Sequence, residues 1–255
     1  MRITGTKNGR VPLERALSKL GLASRTQARE WILAGRVRVN GDVRTQPLYP
    51  VNPEKARIEI DGVRAAAVSH VTLLLHKPRG VVTTSSDEKG RPTVFSLVET
   101  DVPSLHAVGR LDLATTGLLI LTNDTRLSAW LTDPANAVKR VYLVTVRGEM
   151  TDALVKKLEA GIKDEDEGEA LRADRVTLRK ASGRESHLTV ELSEGKNREI
   201  RRMFLSLGHE VTKLKRVAFG GLELGELVPG AWRELANEEL LAAFPGLPVT
   251  GYTYR

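Results

Sequence analysis

No cysteine occurs in the 255 residues, which removes disulfides, thiolate nucleophiles and Cys-ligated metals together. Aromatic residues make up only 4%, too few for an extended base-stacking platform of the kind that grips single strands. No apolar stretch approaches the roughly 20 residues that span a bilayer. The first ten residues, MRITGTKNGR, lack the apolar region of a secretory signal and read as a flexible tail, so a cytosolic (cytoplasmic) chain with no membrane contact is expected. The five histidines, His70, His76, His106, His187 and His209, include no i, i+4 pair, and dispersed structural histidines fit them better than a metal site. P-loop and dinucleotide fingerprints are missing too, and Gly220-Gly221 and Gly225 mark turns. Neither a metal nor a nucleotide cofactor is expected. The one acidic cluster, Lys163 to Gly168, follows an amphipathic helix and reads as a solvated loop.

What the chain does have is positive charge: 39 Lys and Arg against 32 Asp and Glu, a net +7. That balance favours a polyanionic partner, of which nucleic acid is the commonest. Its length suits a large domain carrying a small module. Residues 11–61 form the module. Leu13, Leu17 and Leu20 recur at helical spacing and Gly21 stops the helix. Ser24-Arg25-Thr26-Gln27 has the S-x-x-Q form of a capping box, and Ala28, Trp31 and Ile32 give the second helix its apolar face. Val37 to Val43 alternates about Asn40-Gly41, a favoured hairpin turn. The polar side carries Arg15, Lys19, Arg25, Arg29, Arg36, Arg38 and Arg44. Such a run is compatible with a merely solvated face, but the bias against acids favours a surface that tracks phosphates.

Residues 62–70 are small, weakly patterned and read as the linker. The larger domain, 71–245, opens with a strand at Thr72 to Lys77 that Pro78 ends. Further strands are expected at Gly117 to Thr122, Arg140 to Val146 and His187 to Leu192, and helices at Thr151 to Ile162 and Asn197 to Leu207. Without a regular βαβ beat, this mixture predicts an α+β fold with a mostly antiparallel sheet around a central cleft.

Asp112 stands in GRLDLATTGLLILTND, directly before one of the most apolar runs of the chain. A turn residue or a cap is one reading. The other is a carboxylate held at the mouth of a rigid strand, where a site is preorganised. On a helical wheel Ile200, Met203, Phe204 and Leu207 share a face; Arg201 lies at its edge, whereas Arg198 and Arg202 point away. Arg201 is then the cation best placed to reach an inward acid, or else its stem simply covers apolar surface. Tyr142 alternates with Val144 and Val146 and by pattern alone is a core aromatic.

LERALSKLGLASRTQAREWILAGRVRVNG resembles the small RNA-binding domain of the ribosomal protein S-four type. The remainder, LHKPRGVVTT, GRPTVFSLV, GRLDLATTGLLILTND, KRVYLVTV and EGKNREIRRMFLSLGHEVTKLKRVAFGGLELGEL, resembles the RsuA-type family of ribosomal RNA pseudouridine synthases. The resemblance runs from Val11 to about residue 235. It implies an isomerase that converts a uridine in RNA to its carbon-linked isomer, with Asp112 as the catalytic residue. Tyr142 is implied to pack against the target base, and Arg201 to pair with the acid. Arg110 and Lys77 are added as RNA or scaffold contacts. The carboxylate either attacks a sugar carbon or abstracts a sugar proton; both need a dry, positioned acid. The target base must leave its stack, so a flipped uridine is implied. The stretches DEKGRPTVFSLV and EGKNREIRRMF look closer to the B-type enzymes, which modify the large ribosomal subunit, than to the enzymes of the small one, where a Tyr-His pair is expected in place of Asn197-Arg198. The expected partner is ribosomal RNA or a pre-ribosomal particle, met by a monomer. A small-subunit enzyme and a non-catalytic ribosome-assembly factor are the alternatives.

Overall fold

The computed structural model describes residues 9–65, 69–164 and 168–248. The expected tail falls mostly on residues 1–8, outside the described residues, as does the 165–167 portion of the acidic cluster.

In the front domain, α1 (Leu13–Lys19) and α2 (Arg25–Leu33) pack through buried Leu13, Ala16, Leu17, Ala28 and Ile32. The Ser24 side chain accepts the backbone N–H of Gln27 at 3.2 Å, the cap that its S-x-x-Q pattern predicts. Strands β1 (Val37–Val39) and β2 (Asp42–Val43) are joined by Asn40 and Gly41, whose φ angles of +53° and +93° suit the tight turn. Strand β3 (Ile58–Ile60) pairs with β1, and β4 (Val63–Arg64) folds back on β3. Residues 63–64 therefore belong to the front sheet and not to the linker. Two exposed residues carry no period from which a strand is read.

The larger domain is built on one twisted sheet. Its elements are β5 (Thr72–Lys77), β6 (Thr116–Thr122), α3 (Thr125–Thr132), β7 (Arg140–Arg147) and α4 (Asp152–Ala160). They continue with β8 (Arg175–Ala181), β9 (Glu185–Leu192), α5 (Glu199–Ser206), β10 (Val211–Phe219), β11 (Trp232–Glu234) and α6 (Asn237–Ala243). The main order is β8-β9-β7-β10-β6-β5-β11, antiparallel throughout except where β6 meets β10. The mostly antiparallel α+β expectation agrees with this order.

Strand β6 explains its own apolar run. Leu119 and Leu121 enter a core closed by α4 and α5, whereas Leu118 and Ile120 enter one closed by α3 and α6. A strand covered on both faces reads as continuous apolar sequence instead of an alternation. All four side chains are fully buried, which stabilises the fold by roughly 2 kcal/mol apiece relative to exposure. Where β6 starts, Gly117 has φ +109°, and a Cβ there would stand 2.1 Å from the Arg216 carbonyl oxygen. Only glycine lets β10 approach so closely.

Candidate active site

The loop before β6 is tied from several sides. The Thr83 hydroxyl donates to the Leu111 carbonyl at 2.8 Å, and the Gly80 N–H donates to Leu113 O at 2.9 Å. The Thr115 N–H closes a turn onto the Asp112 carbonyl at 3.0 Å. From beneath, the Lys77 ammonium donates to Thr115 O at 2.9 Å and to Pro78 O at 3.1 Å. Lys77 is fully buried, so among its two expected roles it is the scaffold and not an RNA contact. Burial lowers its pKa to about 8, against the attraction of Asp112.

Asp112 stays about one-third exposed at the mouth of a pocket that Tyr142, Thr115, Leu192 and Leu214 help to line. Tyr142 is itself buried on β7, where its register brings it opposite Arg216 of β10. Arg201 arrives from α5. It donates through Nη1 to the Val211 carbonyl at 3.0 Å and places Nε 3.7 Å from Asp112 Oδ2. That Nε is buried and lacks a hydrogen-bond partner among the described residues. Burial pushes the Arg201 guanidinium below its usual range; Asp112 opposes this, and Arg198 and Arg79 add to it.

Arg198 is the residue that the wheel misplaced. The helix begins only at Glu199, and Arg198 caps it in a left-handed conformation, φ +48°. Off the helical wheel, its guanidinium turns toward the pocket and reaches 3.8 Å from the same Asp112 Oδ2. Two cations thus converge on one carboxylate oxygen at distances beyond hydrogen bonding, and neither carboxylate oxygen of Asp112 accepts a hydrogen bond among the described residues.

Glu199 is a second carboxyl at this pocket that the sequence pattern did not reveal. It is buried and accepts the Lys196 backbone N–H at 3.1 Å. Burial, then the neighbouring Glu194 carboxylate, raise it to about 8, so it holds a proton at neutral pH. Arg202, by contrast, pairs with Asp164 at 2.5 Å and Glu169 at 2.8 Å. Asp164 is buried, which corrects the solvated-loop expectation for this part of the acidic cluster: an arginine fork holds its carboxylate inside.

Of the expected phosphate contacts, Arg15, Arg25, Arg29, Arg36, Arg38 and Arg110 are exposed, and Lys19 is half-buried. Arg36 forks onto Asp61, and Arg38 donates to the Gly41 carbonyl at 3.2 Å. Arg110 lines the Asp112 pocket. The histidines gather nowhere: His76 bonds the Leu227 carbonyl and His187 lies by Glu185, and no group of metal-ligating side chains forms among the described residues. Nor is any helix among them long and apolar enough to cross a membrane.

Two family models match the chain: RNA pseudouridylate synthase over residues 71–206 and the S4 domain over residues 11–56. An uncharacterized RNA pseudouridine synthase of Aquifex aeolicus is 37% identical over 92% of this chain and 94% of its own. The ribosomal large subunit pseudouridine synthase B of Bacillus subtilis is 37% identical over 89% of this chain and 93% of its own. A crystal structure of a pseudouridylate synthase superposes with a TM-score of 0.64 at 27% identity, covering 90% of this chain and 98% of that one. This chain, with its RNA-binding module in front, belongs to the family of RNA pseudouridine synthases and is an isomerase.

Proposed function

We propose that the protein isomerises one uridine of large-subunit ribosomal RNA to pseudouridine, with Asp112 as the catalytic carboxylate. The observation that carries this reading is the state of Asp112: fixed by its loop, faced by two guanidinium groups, one-third exposed and free of hydrogen bonds to its carboxylate among the described residues, in a pocket that Tyr142 also lines. The substrate class rests on similarity to proteins named large subunit pseudouridine synthase B in Bacillus subtilis and Pseudomonas aeruginosa.

In the reaction the N1–C1′ bond breaks and a C5–C1′ bond forms. N1 gains a proton and C5 loses one, so the atoms balance within the nucleotide. Asp112 acts either on C1′ as a nucleophile or on the C2′ proton as a base, and each role needs a carboxylate oxygen that no hydrogen bond occupies. Arg201 and Arg198 hold the carboxylate in place and offset negative charge in the pocket. Tyr142 packs on the flipped uracil and takes part in moving the C5 proton. The exposed arginines of the front domain hold the phosphates of the surrounding RNA in the cytoplasm, where ribosomal RNA is modified.

Pseudouridine mapping of both ribosomal RNAs, from cells with and without the protein, tests this. One large-subunit position is expected to lose its mark and to regain it with wild-type protein but not with Asp112→Asn. A changed small-subunit position would move the substrate to the other ribosomal RNA. No changed position in either RNA would overturn the proposal in favour of an assembly factor.

A further inference from the structure

A second and larger cleft, of about 390 Å³, opens where the two domains meet. The front domain contributes Ser18, Ser24 and Arg25 to its wall. The larger domain contributes Phe95, Leu105, His106 and Arg110. Among the described residues no acidic side chain lines it, and its charged residues are the two arginines. Nearby, the Lys19 ammonium is depressed first by burial, then by Arg15 and by Arg126 of the larger domain, with Glu54 opposing them, a balance of charge that still leans toward an anion.

Two details separate this cleft from a simple gap between domains. Phe95 packs against the core of the larger domain yet keeps part of its ring in the cleft, in a chain that has four phenylalanines in all. The Ser104 hydroxyl, on the same wall, is buried with no hydrogen-bond partner among the described residues. An apolar plane, an unpaired hydroxyl and two guanidinium groups together match a nucleotide: a base for the plane, polar edges for the hydroxyl and a phosphate for the arginines. Arg110 also lines the Asp112 pocket, so the two openings meet at one side chain, two residues before the catalytic carboxylate.

We propose that this cleft binds a second unpaired nucleotide of the substrate RNA, one that flanks the target uridine. Its base lies on Phe95 and its phosphate lies between Arg25 and Arg110. The inference rests on the proposed function, because it takes the occupant from the same RNA strand whose uridine enters the Asp112 pocket. It gives the front domain a role beyond affinity: Arg25 completes a site that the larger domain alone leaves open on one side. Flipping one base exposes its neighbours, and a place for one of them offsets part of the unstacking cost.

The test uses the full-length protein and RNA fragments that carry the mapped uridine. Abasic replacements are introduced one at a time at the three positions on either side of it. Dissociation constants are measured for wild type and for Phe95→Leu, which keeps apolar volume toward the core but removes the planar face. One abasic position is expected to weaken wild-type binding about 10-fold, with little further loss from the same position in Phe95→Leu. Arg25→Gln is expected to lower the salt slope of binding by about one contact, and to lose that effect on RNA with an uncharged linkage at the same position. If the abasic and Phe95 losses multiply, or no abasic position affects wild type while pseudouridine still forms, the inference is overturned and the enzymatic reading stands. If no pseudouridine forms in any fragment, both fall.

Discussion

Helix α5 carries two arginines side by side that meet carboxylates in opposite ways. Arg202 grips buried Asp164 at 2.5 Å and Glu169 at 2.8 Å. Arg201 stops 3.7 Å short of a partly exposed Asp112. The outer pair is a closed structural clamp, in which short charge-assisted hydrogen bonds hold a desolvated carboxylate. The inner one is left slack, with an Nε on the cation and a carboxylate on the acid that make no hydrogen bond among the described residues. On the proposed function, the pair that serves the fold closes its geometry, whereas the pair at the pocket keeps donors and acceptors in reserve for a substrate.

The largest effect is expected at the inner pair. Asp112→Asn is expected to lower kcat by about ten-thousand-fold while RNA affinity and melting temperature stay close to wild type. A large fall in melting temperature would make Asp112 a clamp like Asp164 and erase the contrast. Next come the two arginines as a matched set. Arg202→Ala withdraws a cation from the buried Asp164 and is expected to cost about 3 kcal/mol in chemical denaturation, with kcat of the folded protein within a few-fold of wild type. Arg201→Ala is expected to reverse the pattern: kcat down about a hundred-fold and stability down by only about 1 kcal/mol. Equal stability losses in the two variants would show that the inner pair is no slacker than the outer.

A contrast that depends on pH concerns Glu199, at the start of the same helix. Above its ordinary value of 4.5 the unfolded chain releases this proton, while the folded chain keeps it to about pH 8. Folded stability therefore falls between those two values as pH rises. Glu199→Gln mimics the protonated carboxyl and escapes that loss. Its melting temperature is expected to match wild type near pH 4.5 and to exceed it increasingly toward pH 8. A difference that stays flat with pH would mean that Glu199 is ionised in the fold.

Strand β5 and the Ser24-capped α2 were legible from the sequence because local chemistry decides them: a run of apolar residues ended by proline, and a side-chain cap. Strand β7 extends one residue beyond its expected end, and α4 and α5 are shorter than their periods suggested. Among the elements that left no clear signal, three show the reasons. Strand β8 lies at the sheet edge with most of its side chains exposed, so its pattern is polar. Strand β10 interleaves Lys213, Lys215 and Arg216 with its apolar residues, and Arg216 is buried because its guanidinium donates to the Leu118 carbonyl at 2.7 Å. Helix α3 is capped by Asp124, whose carboxylate accepts the N–H of Arg126 at 2.8 Å, directly after an apolar strand that masks its period. At the site, Asp112, Tyr142 and Arg201 do share one pocket. Arg198 was misread because a helical wheel was continued one residue past the helix. Glu199 was invisible because a charged residue type gives no hint that burial keeps it neutral.

The parallel pairing of β6 with β10 at Gly117 also sets a schedule. Leu118 and Arg216 are 98 residues apart in sequence and meet directly, so closing β6 against β10 gathers a long loop and is entropically among the costlier steps of assembly. Asp112 precedes that closure and Arg201 lies inside it. A nascent chain that has emerged only as far as α4 therefore contains the acid and the tyrosine but neither guanidinium. On the proposed function, a chain made only to that point holds the carboxylate without the guanidinium groups that face it, and the pocket is complete only once α5 has been made.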